Sequence, residues 1–221
     1  MRVSIQILAL VLTLALACGP ASAAATAAPA DDRARALAGL DDPSPSARAA
    51  AVAWFAKNGA PADDVLVLPR LTDEDPRVRE LAERGTWLLW SRSGDEAVDA
   101  LMSRGARQLD RRELKTAVAT YTEVIERKPA FAEGWNKRAT AYFLMGDLDR
   151  SQQDCEEVLK RNPYHFGALS GYGQLWFQWK RYDKAIEYWQ RAMKVNPNLA
   201  GLRRNVEMAR KLLAETSKSS T

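Results

Sequence analysis

The sequence predicts an all-α fold: a right-handed α-solenoid of stacked helix pairs, closed by a C-terminal capping helix. Three observations carry that expectation. Pro129, Pro163 and Pro197 stand 34 residues apart, and the residues between them recur in step. A shorter echo precedes them, in which the stretch from Leu40 to Arg48 is answered 31 residues later by Leu71 to Arg79. After Pro197, Leu202, Val206, Ala209, Leu212 and Leu213 recur at helical spacing. Fixed periods of this length mark arrays in which one helix pair cannot bury its apolar face alone and must stack on the next.

The 221-residue chain opens on Arg2, an apolar run from Ile5 to Ala17, and a Gly19-Pro20 break before Ala21-Ser22-Ala23. This pattern predicts a secretory signal over residues 1–23, cleaved after Ala23. The run is too short to span a bilayer comfortably. A second route stays open: lipidation at Cys18, although Leu16 stands two rather than three residues before it. Ala-rich residues 24–30 carry no core pattern and read as a flexible linker.

Residues 31–97 hold the 31-residue echo. Each copy reads Leu, an Asp two positions on, then Pro, an apolar residue and Arg, with Ala51 and Ala82 continuing the match. A carboxylate suits a helix N-terminus, and proline is tolerated in the first turn. The expected helices are 33–40, 46–58, 63–71 and 77–90. This part resembles HEAT-like repeats, and it is expected to cap the following repeats as one continuous solenoid. Trp87 and Trp90 are then expected against the helix around Leu101–Leu109.

Within residues 98–197, Leu101, Trp135 and Leu169 fall in register, as do Gly105, Ala139 and Gly173. Gln108, Tyr142 and Trp176 follow, then Ala117, Ser151 and Ala185, and finally Tyr121, Cys155 and Trp189. Small residues let two helices approach and an aromatic fills the gap beside them. Gly146-Asp147 and Lys180-Arg181-Tyr182-Asp183 give turns between helices, and each proline ends its unit. These residues resemble the tetratricopeptide repeat, three units of it, with Gln108 and Cys155 departing from the aromatic positions. Residues 198–214 read as the capping helix and residues 215–221 as a disordered tail.

Little in the chain points to catalysis. His165, the only histidine, sits in the turn after Pro163 and reads as a solvated loop residue. It has no second histidine or partner cysteine for a metal cluster. Phosphate-cradling and nucleophile-elbow motifs are absent from the sequence. Cys155 occupies a packing position and reads as a small buried hydrophobe, with a thiol or redox enzyme kept as the alternative class. No cofactor is called for.

The resemblance implies a non-enzymatic scaffold or adaptor that binds a protein or peptide along a concave groove. By register the groove candidates are Asn136, Lys137, Thr140 and Phe143 in the second unit. Ser170, Gln174 and Phe177 match in the third, and Met102 with Ala106 in the first. Met102, Ala106 and Gly171 stand where a clamp for a peptide's terminal carboxylate wants polar residues, which argues against a chaperone-tail clamp. Residues 31–97 carry nine basic and thirteen acidic side chains, net −4, whereas residues 98–221 carry twenty-two and fifteen, net +7. With export expected, an acidic protein segment or an anionic envelope surface suits this charge better than nucleic acid. A lipid anchor would make the protein a membrane-tethered scaffold of an assembly or secretion complex. Self-association through Trp176, Phe177 and Trp179 is a further expectation.

Overall fold

The computed structural model describes residues 29–218, so the expected signal, Cys18 and most of the Ala-rich linker lie outside the described residues. Among the described residues the regular structure is helical throughout. Helices α1 (Pro29–Gly39) and α2 (Pro45–Asn58) form the first pair. The next expected helix is broken: 3-10 turns at Pro61–Asp63 and Leu68–Thr72 flank a single turn, α3 (Asp64–Val67). Pro69 removes an N–H from the ladder and its ring crowds the preceding turn, which stops α3. Helix α4 (Pro76–Trp90) then packs on α2.

The two echoing turns have the same internal wiring. Asp42 Oδ1 accepts from the Ser44 N–H at 2.8 Å, and Asp73 Oδ1 from the Asp75 N–H at 3.0 Å. Arg48 Nη1 donates to the carbonyls of Asp42 and Pro43, at 2.9 and 3.1 Å. Arg79 Nη1 donates to those of Asp73 and Glu74, at 2.7 and 3.0 Å. Arg48 then forks onto the Asp73 carboxylate of the next turn, at 2.8 and 2.9 Å.

The three 34-residue units follow as α5 (Glu96–Asp110) with α6 (Leu114–Arg127), α7 (Ala132–Met145) with α8 (Leu148–Arg161), and α9 (Phe166–Gln178) with α10 (Tyr182–Val195). Each unit turns between its helices through a left-handed residue at one register position: Arg112 (φ 61°), Gly146 (φ 80°) and Lys180 (φ 58°). The residue after it donates back five positions, as Asp147 does to the Tyr142 carbonyl at 3.0 Å, the bond of a Schellman cap. Each unit ends at Lys128, Asn162 or Asn196, whose backbone is driven out of the helical region by the following proline. Inside the first and third units a side chain at the small position has no room. A Cβ on Gly105 would lie 2.5 Å from the Tyr121 ring, and one on Gly173 2.5 Å from that of Trp189.

Helix α11 (Ala200–Lys218) buries Leu202, Val206 and Ala209 beside Trp189 and Ala192. It runs four residues beyond the expected end at 214, with the Thr216 hydroxyl back-bonded to the carbonyls of Leu212 and Leu213. At the other end, α1 begins at Pro29, inside the expected linker.

The expected continuous stack does not form at the N-terminal end. α4 makes no extended contact with α5, and Trp87 and Trp90 do not reach the 101–109 helix. Trp90 stacks on the His165 ring at 4.4 Å, and Trp87 meets the Phe166 ring edge-on at 5.1 Å. The intervening loop explains the reversal. Gly94 is left-handed (φ 75°), the buried Ser93 takes the Asp99 carboxylate on its N–H at 2.9 Å, and Lys128 holds its carbonyl. The N-terminal pairs therefore fold back over the turns that precede α9 and α11. There Arg79 Nε donates to Asn198 Oδ1 at 3.1 Å, and Asn198 Nδ2 donates to the Leu71 carbonyl at 3.0 Å.

Candidate functional site

Helices α7 and α9 run beside each other with α8 behind them, and a cavity of about 210 Å³ opens between them. Asn136, Thr140, Phe143 and Gln174 line it together with Ala139, Ser151, Cys155, Gly167, Ala168 and Gly171. Four of the nine groove positions read from the sequence thus meet at one place. Ser170 lies one hollow further on, where α9 faces Leu202, Asn205 and Met208 of α11.

Ala106 stays exposed on α5, and the other three sit elsewhere. Met102 is buried in the cluster of Leu101, Tyr121, Phe131 and Ala141, because a flexible thioether folds into an apolar gap where Asn136 and Ser170 of the later units cannot. Phe177 turns away from the groove, its ring 5.4 Å from Tyr182 and 5.6 Å from Trp189. Lys137 is drawn to Glu133 at 3.1 Å and lies over the Trp87 ring at 6.0 Å. Trp176 and Trp179 are half-buried and pack on each other at 5.3 Å, so with Phe177 they do not form the exposed aromatic patch on which self-association was expected.

Sequence reasoning missed the polar node at the groove's end. His165 is fully buried rather than solvated, because the N-terminal pairs close over its turn. Its Nδ1 accepts the Ala168 N–H at 3.1 Å as the N-cap of α9, which leaves the proton on Nε2 to face Glu133 Oε2 at 3.0 Å. Asn136 donates to the same carboxylate at 2.9 Å. Burial alone would raise Glu133, but the hydrogen bonds from His165 and Lys137, with the Lys137 charge, outweigh it and hold the carboxyl below its ordinary value. The node fixes the N-terminal ends of α7 and α9 relative to each other and to Trp90.

The cavity floor is chemically quiet. Burial pushes the Cys155 thiol up to about 12, so a nucleophilic thiolate is scarce at neutral pH. Ser151 Oγ donates to the Ala139 carbonyl at 2.9 Å. Among the described residues no group of three or more His, Cys, Asp or Glu side chains could hold a metal ion, and no helix is long and apolar enough to cross a membrane.

What this arrangement defines is a helical-repeat protein with a groove across its repeats. Residues 136–198 match the family model described as Tetratricopeptide repeat, and the chain carries tetratricopeptide repeats there. A TPR repeat-containing protein of Rhizobium etli is 32% identical over 127 residues, which are 58% of this chain and 62% of the relative. Hsp70-Hsp90 organizing protein 1 of Glycine max is 30% identical over 117 residues, 51% of this chain and 20% of the relative. The chain therefore spans less than two thirds of the length of either. Among solved structures, the Sgt2 TPR domain from Aspergillus fumigatus has a TM-score of 0.54 at 23% identity, covering 57% of this chain and 85% of that one. The first TPR of Spaghetti (RPAP3), bound to an HSP90 peptide, has a TM-score of 0.52 at 20% identity over 53% and 93%. Those two likenesses show the fold.

Proposed function

We propose that this protein is a non-enzymatic adaptor that holds a segment of another protein in the groove formed by α7, α9 and α11. The observation that carries this reading is the open cavity between α7 and α9, an apolar hollow rimmed by the polar side chains of Thr140 and Gln174. Pockets of this make-up bind ligand groups through apolar contact and fix orientation with a few polar atoms. The net charge of +7 over residues 98–221 favours an acidic segment. The names of the plant relatives point to chaperones as partners of those proteins. In this chain Ala106 and Gly171 offer no side-chain donor for a terminal carboxylate, which favours an internal segment over a chain end.

The signal-like pattern of residues 1–23 supports a setting in the cell envelope, with the HEAT-like N-terminal pairs bracing one end of the groove. Intact mass and fractionation from the native host test the setting. A start at Ala24 in the soluble fraction fits a free exported adaptor, and a start at Cys18 with added acyl mass fits a tethered scaffold. The groove is tested by selecting displayed random peptides on the protein and measuring their binding to a Thr140→Glu, Asn205→Glu double variant. An acidic groove ligand should bind at least about tenfold more weakly. Unchanged binding would overturn the groove reading.

A further inference from the structure

Within the units, the residue at the Tyr121/Trp189 register position closes the space between paired helices. Tyr121 seats its ring against Gly105 and Trp189 against Gly173, and both are fully buried. The middle unit pairs Ala139 with Cys155, small against small. The ring is missing, and the cavity of about 210 Å³ stands where it would be, with Cys155 and Ala139 in its wall. A hollow of ~150 Å³ already accepts benzene.

We propose that this cavity is a socket for an aromatic side chain, tryptophan best of all, presented by the protein segment in the groove: the partner supplies the ring that the middle repeat lacks. The proposal rests on the groove reading above. Three features favour that occupant. The wall is largely apolar where a ring would lie, with Ala139, Phe143, Cys155 and Ala168; Ser151 in its floor spends its hydroxyl on the Ala139 carbonyl, and Asn136, Thr140 and Gln174 stand at the rim. Sulfur beside a ring is a favourable contact. In the third unit the Trp189 indole donates to the Ser170 carbonyl at 3.1 Å. The residue in register with Ser170 is Asn136, on the rim of the socket; its carbonyl takes the Thr140 hydroxyl at 2.9 Å, which an incoming indole N–H would displace.

The mouth is kept open at a cost to α9. Gly167 and Gly171 lie four residues apart on one face, and glycine inside a helix costs about 1 kcal/mol relative to alanine. A Cβ at Gly167 would collide with Trp87 of the N-terminal pairs, which accounts for that glycine. Nothing lies within 4 Å of where a Cβ on Gly171 would sit, and its φ is not left-handed. Packing and backbone therefore do not require Gly171, whereas access to the cavity does.

The test uses indole as probe on the isotope-labelled protein, followed by peptide selection. Indole should shift the amide signals of Ala139, Gly167 and Gly171 saturably. Gly171→Leu, which places a side chain in open space and should fold, should weaken this at least about tenfold, and Cys155→Trp should abolish it. Peptides selected on the wild type should carry an aromatic at one fixed position and lose binding when it is changed to alanine. Absence of indole shifts, or shifts unchanged by Gly171→Leu, overturns the socket. So do groove-bound peptides with no aromatic preference, and that outcome leaves the groove reading standing. Peptides that bind but ignore Thr140→Glu, Asn205→Glu strike at the groove reading itself.

Discussion

The two halves of this chain hold their helices together by different physics. Among the N-terminal pairs the join is a directed polar link: Arg48 collects two carbonyls of its own turn and forks onto Asp73 of the next. Within the repeats the two helices of a unit are held by volume, a ring pressed onto a glycine at Tyr121/Gly105 and Trp189/Gly173. A polar link needs its partner at a fixed distance and angle, so it specifies which turn meets which. A ring on a glycine needs only space of the right size, so leaving it out makes a cavity and does not prevent the stack from forming. That contrast explains why a socket can exist in the middle repeat while the fold persists around it.

The largest expected effect follows directly. Trp189→Ala should destabilise the protein by ~3–5 kcal/mol, the cost of emptying a large buried site, whereas Cys155→Ala should cost about 1 kcal/mol or less. Urea denaturation measures both. Similar losses at the two positions would mean that Cys155 fills its site as fully as the rings do, and the comparison between repeats would collapse.

The junction between the halves is the next place to probe. Arg79 repeats the wiring of Arg48, yet no third turn of its kind follows, and it docks on Asn198 instead. Asn198→Ala removes that acceptor and the donor to the Leu71 carbonyl, for an expected loss of roughly 1–3 kcal/mol. Amide exchange should rise across α1–α4 and in the α10–α11 turn, with α7 and α8 unchanged. A uniform rise across all helices would show that the halves unfold as one unit.

How much of this was legible in the sequence tracks the same contrast. The proline spacing, the small-then-large pattern and the turn positions were readable because each repeat writes its own volume and helix ends locally. Asn136, Thr140, Phe143 and Gln174 could be placed together by register alone. His165 was misread because the residues that bury it, Trp87 and Trp90, come from a segment about 75 residues earlier that folds back. Met102 and Phe177 held the right register, but each had an apolar gap nearer than the groove. The cavity could have been suspected from Cys155 standing where Tyr121 and Trp189 stand, since a missing ring is a missing volume.

Acid should separate the halves in sign. The Arg48 fork, working against burial, holds the Asp73 carboxyl below its ordinary value. Its contribution to stability is therefore complete above about pH 4 and is lost as pH falls through the folded-state value. At Asp154 burial wins over the bidentate Arg138, and the carboxyl is raised. Ionising it costs the folded state, so this group favours folding as pH falls towards the ordinary aspartate range. Asp73→Asn should flatten the acid limb of the stability curve, and Asp154→Asn should steepen it. The same direction of change in both variants would contradict the assignment.

The smallest effect concerns the turns, where the three repeats share one backbone but not one residue. Arg112, Gly146 and Lys180 all lie in the left-handed region, which costs a residue bearing a Cβ roughly 1–2 kcal/mol. Glycine relieves that strain but loses more freedom on folding, so the net gain from Lys180→Gly should be about 0.5–1 kcal/mol. Arg112→Gly should gain a similar amount, and Gly146→Ala should lose one. The side chains at stake carry no compensating link: no ion pair holds Arg112 or Lys180 among the described residues, and the Gly146 site is open space. If Lys180→Gly instead lowered the urea midpoint, the third repeat would be drawing stability from that lysine, and the capping bonds from Lys180 to the Phe177 carbonyl and from Arg181 to the Trp176 carbonyl could not be what sets the turn.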